Sequence, residues 1–225
     1  MIDWLQNRSL DWDWLGRNAG TIGGLTLEHA ILSVLPVVAA FVISIPLGYL
    51  VFRTGRAANT LLAVFGVIYS IPSLALFVAM PAFLGTKILS PVNIAVALAI
   101  YSVALLVRSV VDGLRSVPDA VKQSAAAVGY GGFRRFITVE LPLAMPVVFA
   151  GLRVVTVSNI ALVSVGVLIG LGSLGQLFDT GFNRNFYTPI VVGLVLTVVL
   201  ALIADALILL IQRGALPWAR ARRVA

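Results

Sequence analysis

The run LPLAMPVVFAGLRVVTVSNIALVSVGVLIGLGSLGQLF at residues 141–178 is broken by a single charge, Arg153, and its reading decides the fold. A hydrocarbon core about 30 Å thick takes about 20 helical residues at ~1.5 Å each, so the run falls between one long span and two short ones. The surrounding charges separate the two readings. With one span here, the loops at 53–56 and 113–140 share a side with the tail after 212. That side carries Arg53, Arg56, Arg115, Lys122, Arg134, Arg135, Arg213, Arg220, Arg222 and Arg223. The opposite side carries Arg8, Arg17, Lys87 and Arg184, together with Asp3, Asp11, Asp13, Glu28 and Asp179. Lys and Arg concentrate in short cytoplasmic loops, so the first side is cytoplasmic. Two spans would throw the arginine-rich tail outside, and one span is expected.

Outward from this run, charge-free stretches mark Ala30–Phe52, Ala57–Thr86, Ile88–Val107 and Asn185–Ala204, the last continuing to Gln212 across Asp205. The sequence therefore predicts an all-α polytopic membrane protein with five transmembrane helices, N-terminus out and C-terminus in. The helices fall at about 29–52, 59–84, 89–112, 141–169 and 188–212, within a membrane domain 27–212. An extracytoplasmic or interfacial segment 1–26 precedes it, a cytoplasmic loop 113–140 interrupts it, and a basic tail 213–225 follows. Composition agrees: 60% of the 225 residues are hydrophobic and only 11% charged, against about 25% charged in a soluble domain. A mean hydropathy of +1.05 makes the lipid bilayer the natural solvent.

The formal net charge of +7 sits mostly in short loops beside apolar runs, which is a membrane pattern and excludes nucleic acid as a partner. There is no cysteine, so disulfides and thiolate metal sites are excluded and no metal site is expected. Asp3, Asp11 and Asp13 argue against a cleaved signal peptide, leaving the first span as the targeting signal. Trp4, Trp12, Trp14 and Trp218 lie outside the spans; Trp218 suits an interfacial anchor, and Ile2–Leu15 suits the outer membrane surface. An aromatic cage for a quaternary amine is the alternative for the N-terminal tryptophans.

The loop between the third and fourth spans is structured. Ser116-Val117-Pro118-Asp119 reads as a helix start, with Ser116 as cap, Pro118 in the first turn and Asp119 facing the dipole. The helix runs over Ala120–Val128 and Gly129 stops it. A second short segment, Phe133–Ile137, leads through Val139-Glu140-Leu141-Pro142 into the fourth span. Small side chains between two glycine-marked turns make a knob that another protein's backbone can approach, with Arg134 and Arg135 at its rim; an ordinary connector is the other reading.

The stretch Gln123–Pro142 resembles the EAA loop of ATP-binding-cassette (ABC) importer permeases. Gln123, Ser124 and Ala125 take the Glu-Ala-Ala positions, Gly129 the glycine, and Val139, Leu141 and Pro142 the Ile and Leu-Pro positions. Gln123, Ser124 and Val139 depart from the pattern, and the lost acidic residue puts any charged contact there in question. Tyr69–Ala75, Leu141–Pro146 with Gly151-Leu152-Arg153, and Leu168–Gly175 are similar to the osmoprotectant branch of this family, which serves glycine betaine, carnitine and choline. The likeness covers roughly residues 25–212.

The resemblance implies a type I permease fold and a division of labour. Two permeases, identical or related, form a pathway. Cytoplasmic ABC ATPase subunits bind beneath them and use the ATP, and an extracytoplasmic solute-binding protein delivers the solute. Gln123, Ala125, Ala126 and Gly129 would sit at the ATPase joint, with Leu141 and Pro142 setting its angle to the fourth span. The chain has no Gly-x-x-x-x-Gly-Lys-[Ser/Thr] phosphate loop, so it is expected to bind no cofactor itself and not to be an enzyme.

Within the spans, Pro72 removes a backbone donor and is expected to kink the second helix, with Ser70 and Ser73 re-satisfying freed groups; pathway lining and a packed kink are both open. Arg153 lies about 16 Å from Pro142, and Asp205 about 12 Å from Arg213, along their helices. Comparable depth makes them a candidate ion pair, since a buried charge is costly unless paired; snorkelling of Arg153 is the alternative. Asn159 is a pathway candidate, whereas Ser164 reads as packing. Three rivals fit less well, one of them a structural assembly partner, which would not need kinked, polar spans. A secondary transporter would bring repeats and midplane ionisable groups. An intramembrane enzyme would need a nucleophile–base pair, and the single His29 sits at the outer start of the first span.

Overall fold

A computed structural model describes residues 10–218. Trp4 and the arginines at 220, 222 and 223 lie outside the described residues. The described chain is helical: α1 (Trp12–Arg53), α2 (Ala58–Ser70), α3 (Ser73–Leu84), α4 (Pro91–Arg115), α5 (Asp119–Ala127), α6 (Gly132–Arg135), α7 (Leu141–Val163), α8 (Gly175–Asn183) and α9 (Tyr187–Ala215). Among the described residues four helical stretches are long and apolar enough to cross a membrane, and five if the broken pair α2–α3 counts as one span.

α1 starts at Trp12, well before the expected 29. The Asp11 carboxylate accepts the Trp14 backbone N–H at 2.8 Å, which caps the first turn, and Asp13 there complements the dipole. Its 42 residues reach about 63 Å, twice the hydrocarbon thickness. The stretch from Trp12 is thus helix continuous with the first span rather than a separate surface segment. It is held because Ile22 and Leu25 pack on Leu174 and Leu177, a contact between residues 150 positions apart that local sequence does not announce.

The expected second helix, 59–84, is two helices. Ile71 and Pro72 are extended, with ψ of 132° and 129°. A residue before proline is pushed out of the helical region, and proline has no N–H to continue the ladder. The break is more than the kink expected at Pro72. Pro91 opens α4 at the position where its missing N–H costs nothing.

The described chain divides into two compact units. One comprises the described residues up to Pro36 with Pro72–Leu98 and Val157–Ile203; the other comprises Val37–Ile71, Ala99–Thr156 and the described residues from Ala204 on. In the first, His29 is fully buried and its Nε2 donates to the Ile160 carbonyl at 2.9 Å. The second holds the larger apolar clusters, centred on Leu106 with Phe149 and on Val110 with Val148. There α4 and α7 approach closely: a Cβ on Gly151 would fall 2.1 Å from the Ser109 hydroxyl. Small residues let membrane helices pack backbone to backbone, where dispersion rather than water exclusion drives association.

Candidate functional site

Between α4 and α7 the chain builds a compact element. Asp119 starts α5, and Pro118 is its cap residue without a side-chain cap bond; Ser116, expected to cap, instead donates its hydroxyl to the Gly113 carbonyl at 2.7 Å. α5 ends at Ala127, one residue short of the expected Val128, and Gly129 just beyond has a φ of +87°. Tyr130 N–H bonds the Ala125 carbonyl at 3.1 Å and Gly129 N–H the Ala126 carbonyl at 3.0 Å. That paired closure satisfies carbonyls the helix end would orphan and requires the left-handed residue.

After α6 comes one π-helical turn, Phe136–Glu140, feeding directly into α7. Pro142 cannot donate to the carbonyl four residues back, and its ring crowds it; the wider turn accommodates both. Glu140 is buried and is held by Arg135 Nε at 2.5 Å, so its charge is paired inside the element. Of the two rim arginines, Arg135 is therefore engaged, and Arg134 lies 4.9 Å from the Tyr130 ring centroid.

The coupling candidates divide by exposure. Gln123, Ala126 and Gly129 are exposed, Leu141 and Pro142 are half-buried, and Ala125 is buried. Ala125 thus supports the exposed face from beneath. Sequence reasoning missed two residues of that face. Val128 is 74% exposed and Phe133 66%, large apolar groups presented on a loop read as cytoplasmic. Their signal was the pattern itself: an apolar residue on each side of the Tyr130–Gly132 turn with no apolar periodicity to bury it.

At the break, Ser70 and Pro72 are exposed and Ser73 half-buried. Ser70 returns its hydroxyl to the Val67 carbonyl at 2.7 Å. The carbonyl of Ile71 is taken by Tyr101, whose hydroxyl donates at 2.6 Å while its ring meets Tyr69 edge-on at 5.7 Å. Of the two serines expected to re-satisfy freed groups, Ser70 thus serves Val67, while a tyrosine from α4 serves Ile71. Asn159 is 2% exposed, inside the first unit. Arg153 donates from Nε and Nη2 to the two carboxylate oxygens of Asp205 at 2.6 and 2.7 Å. The fork-on-fork geometry is the strong form of the pair, with both side chains about one-third exposed in the single chain.

An apolar groove along Trp12, Ile22 and Leu27 of α1 and Val191 and Val195 of α9 has no convergent polar groups. Its Thr26 spends the hydroxyl on the Ile22 carbonyl. The groove suits hydrocarbon rather than a solute. Trp14 packs edge-on against Phe186, centroids 5.6 Å apart, and is used in packing rather than in a cage.

Helices long and apolar enough to cross a membrane, interrupted by a structured loop, define a membrane protein. The family of binding-protein-dependent transport system inner membrane components matches residues 27–216, and the chain belongs to it. It is a transport subunit that relies on a separate ATPase, not an enzyme. Among curated relatives, the osmoprotectant import permease protein OsmW of Salmonella typhimurium strain LT2 is 32% identical over 196 residues, 85% of this chain and 90% of that protein. The glycine betaine/carnitine/choline transport system permease protein OpuCD of Bacillus subtilis strain 168 is 33% identical over 208 residues, 90% of each. Among solved structures, the MetNI methionine ABC transporter in an inward-facing conformation superposes with a TM-score of 0.76 at 23% identity, covering 84% of this chain and 93% of its own. That likeness supports the fold of a type I importer permease.

Proposed function

We propose that this permease subunit carries a compatible solute of the glycine betaine, choline or carnitine kind across the inner membrane in five spans, N-terminus out and C-terminus in. The solutes carried by its relatives support the solute class, and the charge asymmetry of the loops supports the orientation. In this reading two permeases share the pathway, a binding protein delivers the solute from outside, and ATPase subunits dock below. The broken span at Ser70, Pro72 and Ser73, with Asn159, lies along the pathway. Interrupted helices are tolerated in the membrane where their backbone lines a cavity or is covered by protein.

The observation that carries the reading is the exposed face of α5 and its turn. Gln123, Ala126 and Gly129 let a partner's surface come close, Val128 and Phe133 enter it, and Ala125, Leu141 and Pro142 hold the face at its angle to α7. Co-expression with the ATPase of the same system tests it. The tagged permease should retain the ATPase through purification, and Val128→Asp with Phe133→Asp should release it while leaving the permease's melting temperature unchanged. Vesicles loaded with the intact complex should take up radiolabelled glycine betaine, choline or carnitine when supplied with binding protein and ATP. Retention of the ATPase by the double variant would remove the docking assignment; uptake of none of the three solutes would remove the solute class.

A further inference from the structure

The coupling element is joined to its neighbouring spans by two links of different kind. Toward α4 the link is the non-helical Ser116–Pro118. Toward α7 helix runs on without a gap, changing pitch in the single π turn ahead of Pro142. The firm contact is sideways, onto the cytoplasmic end of α1. There the Phe136 ring lies stacked on Tyr49, centroids 3.9 Å apart and planes 23° from parallel. Lys122 of α5 places its ammonium 5.6 Å from the Phe52 ring centroid, and Arg53 lies 5.8 Å from the Tyr49 ring. Phe41, Ile45, Tyr49 and Phe52 share one face of α1 at helical spacing and pack against the cluster containing Val117, Phe136 and Val148. Farther along, Phe41 meets Phe149 of α7 at 6.1 Å.

We propose that Tyr49 and Phe52 are the positioning residues through which movement of the coupling element enters the bundle, with α1 as the lever and the Tyr49–Phe136 stack as its joint. The proposal rests on the permease reading above and adds where the push goes. A face-to-face aromatic contact resists compression and transmits displacement normal to the rings, whereas the non-helical Ser116–Pro118 can absorb it by changing its turn. Glu140, held by Arg135, fixes the base of the π turn from which Phe136 projects. The ion pair thereby keeps the ring on Tyr49.

The test uses the complete complex, permease with ATPase and binding protein, in vesicles, and reads solute taken up per ATP hydrolysed. Tyr49→Ala and Phe136→Ala should keep ATP hydrolysis and lower that ratio about fivefold, the weight of one aromatic contact; Tyr49→Phe, which keeps the ring, should restore it. Because the chain has no cysteine, Tyr49→Cys with Phe136→Cys gives the one thiol pair of the permease. It should be uncoupled when free and recoupled by a short thiol-to-thiol crosslinker, a rescue that serves even if the alanine variants are recovered poorly. Unchanged coupling in Tyr49→Ala, uptake and hydrolysis falling in proportion, or a crosslinked pair no better coupled than the free one would each overturn the joint. A wild-type complex whose ATPase never responds to binding protein and solute would instead overturn the permease reading beneath it.

Discussion

Gly129 shows how a single residue sets the geometry of the site. Its φ of +87° lies where a side chain costs roughly 1–2 kcal/mol, although open space surrounds its Cβ position. Gly129→Ala should therefore destabilise the α5 closure by about that amount, through backbone strain and not through a clash. Hydrogen exchange at the Gly129 and Tyr130 amides would register it, and unchanged protection would contradict the assignment. Arg153 and Asp205 make the second residue-scale case. Asp205→Asn leaves a guanidinium at membrane depth without its carboxylate, so folded yield in detergent should fall, while the same change beside Arg153→Met should add little. A double-mutant cycle should show the two changes to be non-additive; full additivity would mean the pair is idle.

At the scale of elements, the broken span is the informative case. Pro72 was legible in the sequence as an interruption, because it lacks an N–H wherever it stands. That the break would be complete, and that Tyr101 would serve it, was not legible, because the partner comes from 30 residues away and tyrosines carry no periodicity. Tyr101→Phe keeps the ring against Tyr69 but leaves the Ile71 carbonyl without its donor. Ile71 is exposed, so the loss is that of an ordinary hydrogen bond, about 0.5–1.5 kcal/mol, and the variant should melt slightly lower. An unchanged melting curve would mean that another group supplies the bond. The early start of α1 has the same origin: Asp11 was visible as a cap residue, but Ile22 and Leu25 needed Leu174 and Leu177 to make a helix worth continuing. The loop element read more fully, since its turn glycine and leading proline act locally. Its exposed Val128 and Phe133 carry a local signal, apolar residues flanking a turn without a periodicity to bury them, but only the folded surface shows that both stay exposed.

For the whole molecule, charge placement and apolar run length carry most of the architecture, since both depend on the bilayer rather than on partners in the fold. The absence of native cysteine makes orientation directly measurable. A lone thiol at Ala126→Cys should react with an impermeant maleimide only after the cells are opened, and one at Thr21→Cys should react in intact cells. The reverse pattern would invert the proposed topology and with it the assignment of α5 to the ATPase side.

The single π turn ahead of α7 has a consequence for anyone transplanting this loop into another permease. It holds one residue more than an α-helical turn would, and each residue of an α-helix advances the direction of its side chain by about 100°. Trimming Ile137 to obtain a tidy uninterrupted helix would swing Phe133 and Arg134 to a different compass bearing about the axis. A chimera built that way should insert into the membrane normally and yet present the wrong side of its handle, so residue counting matters more there than residue identity.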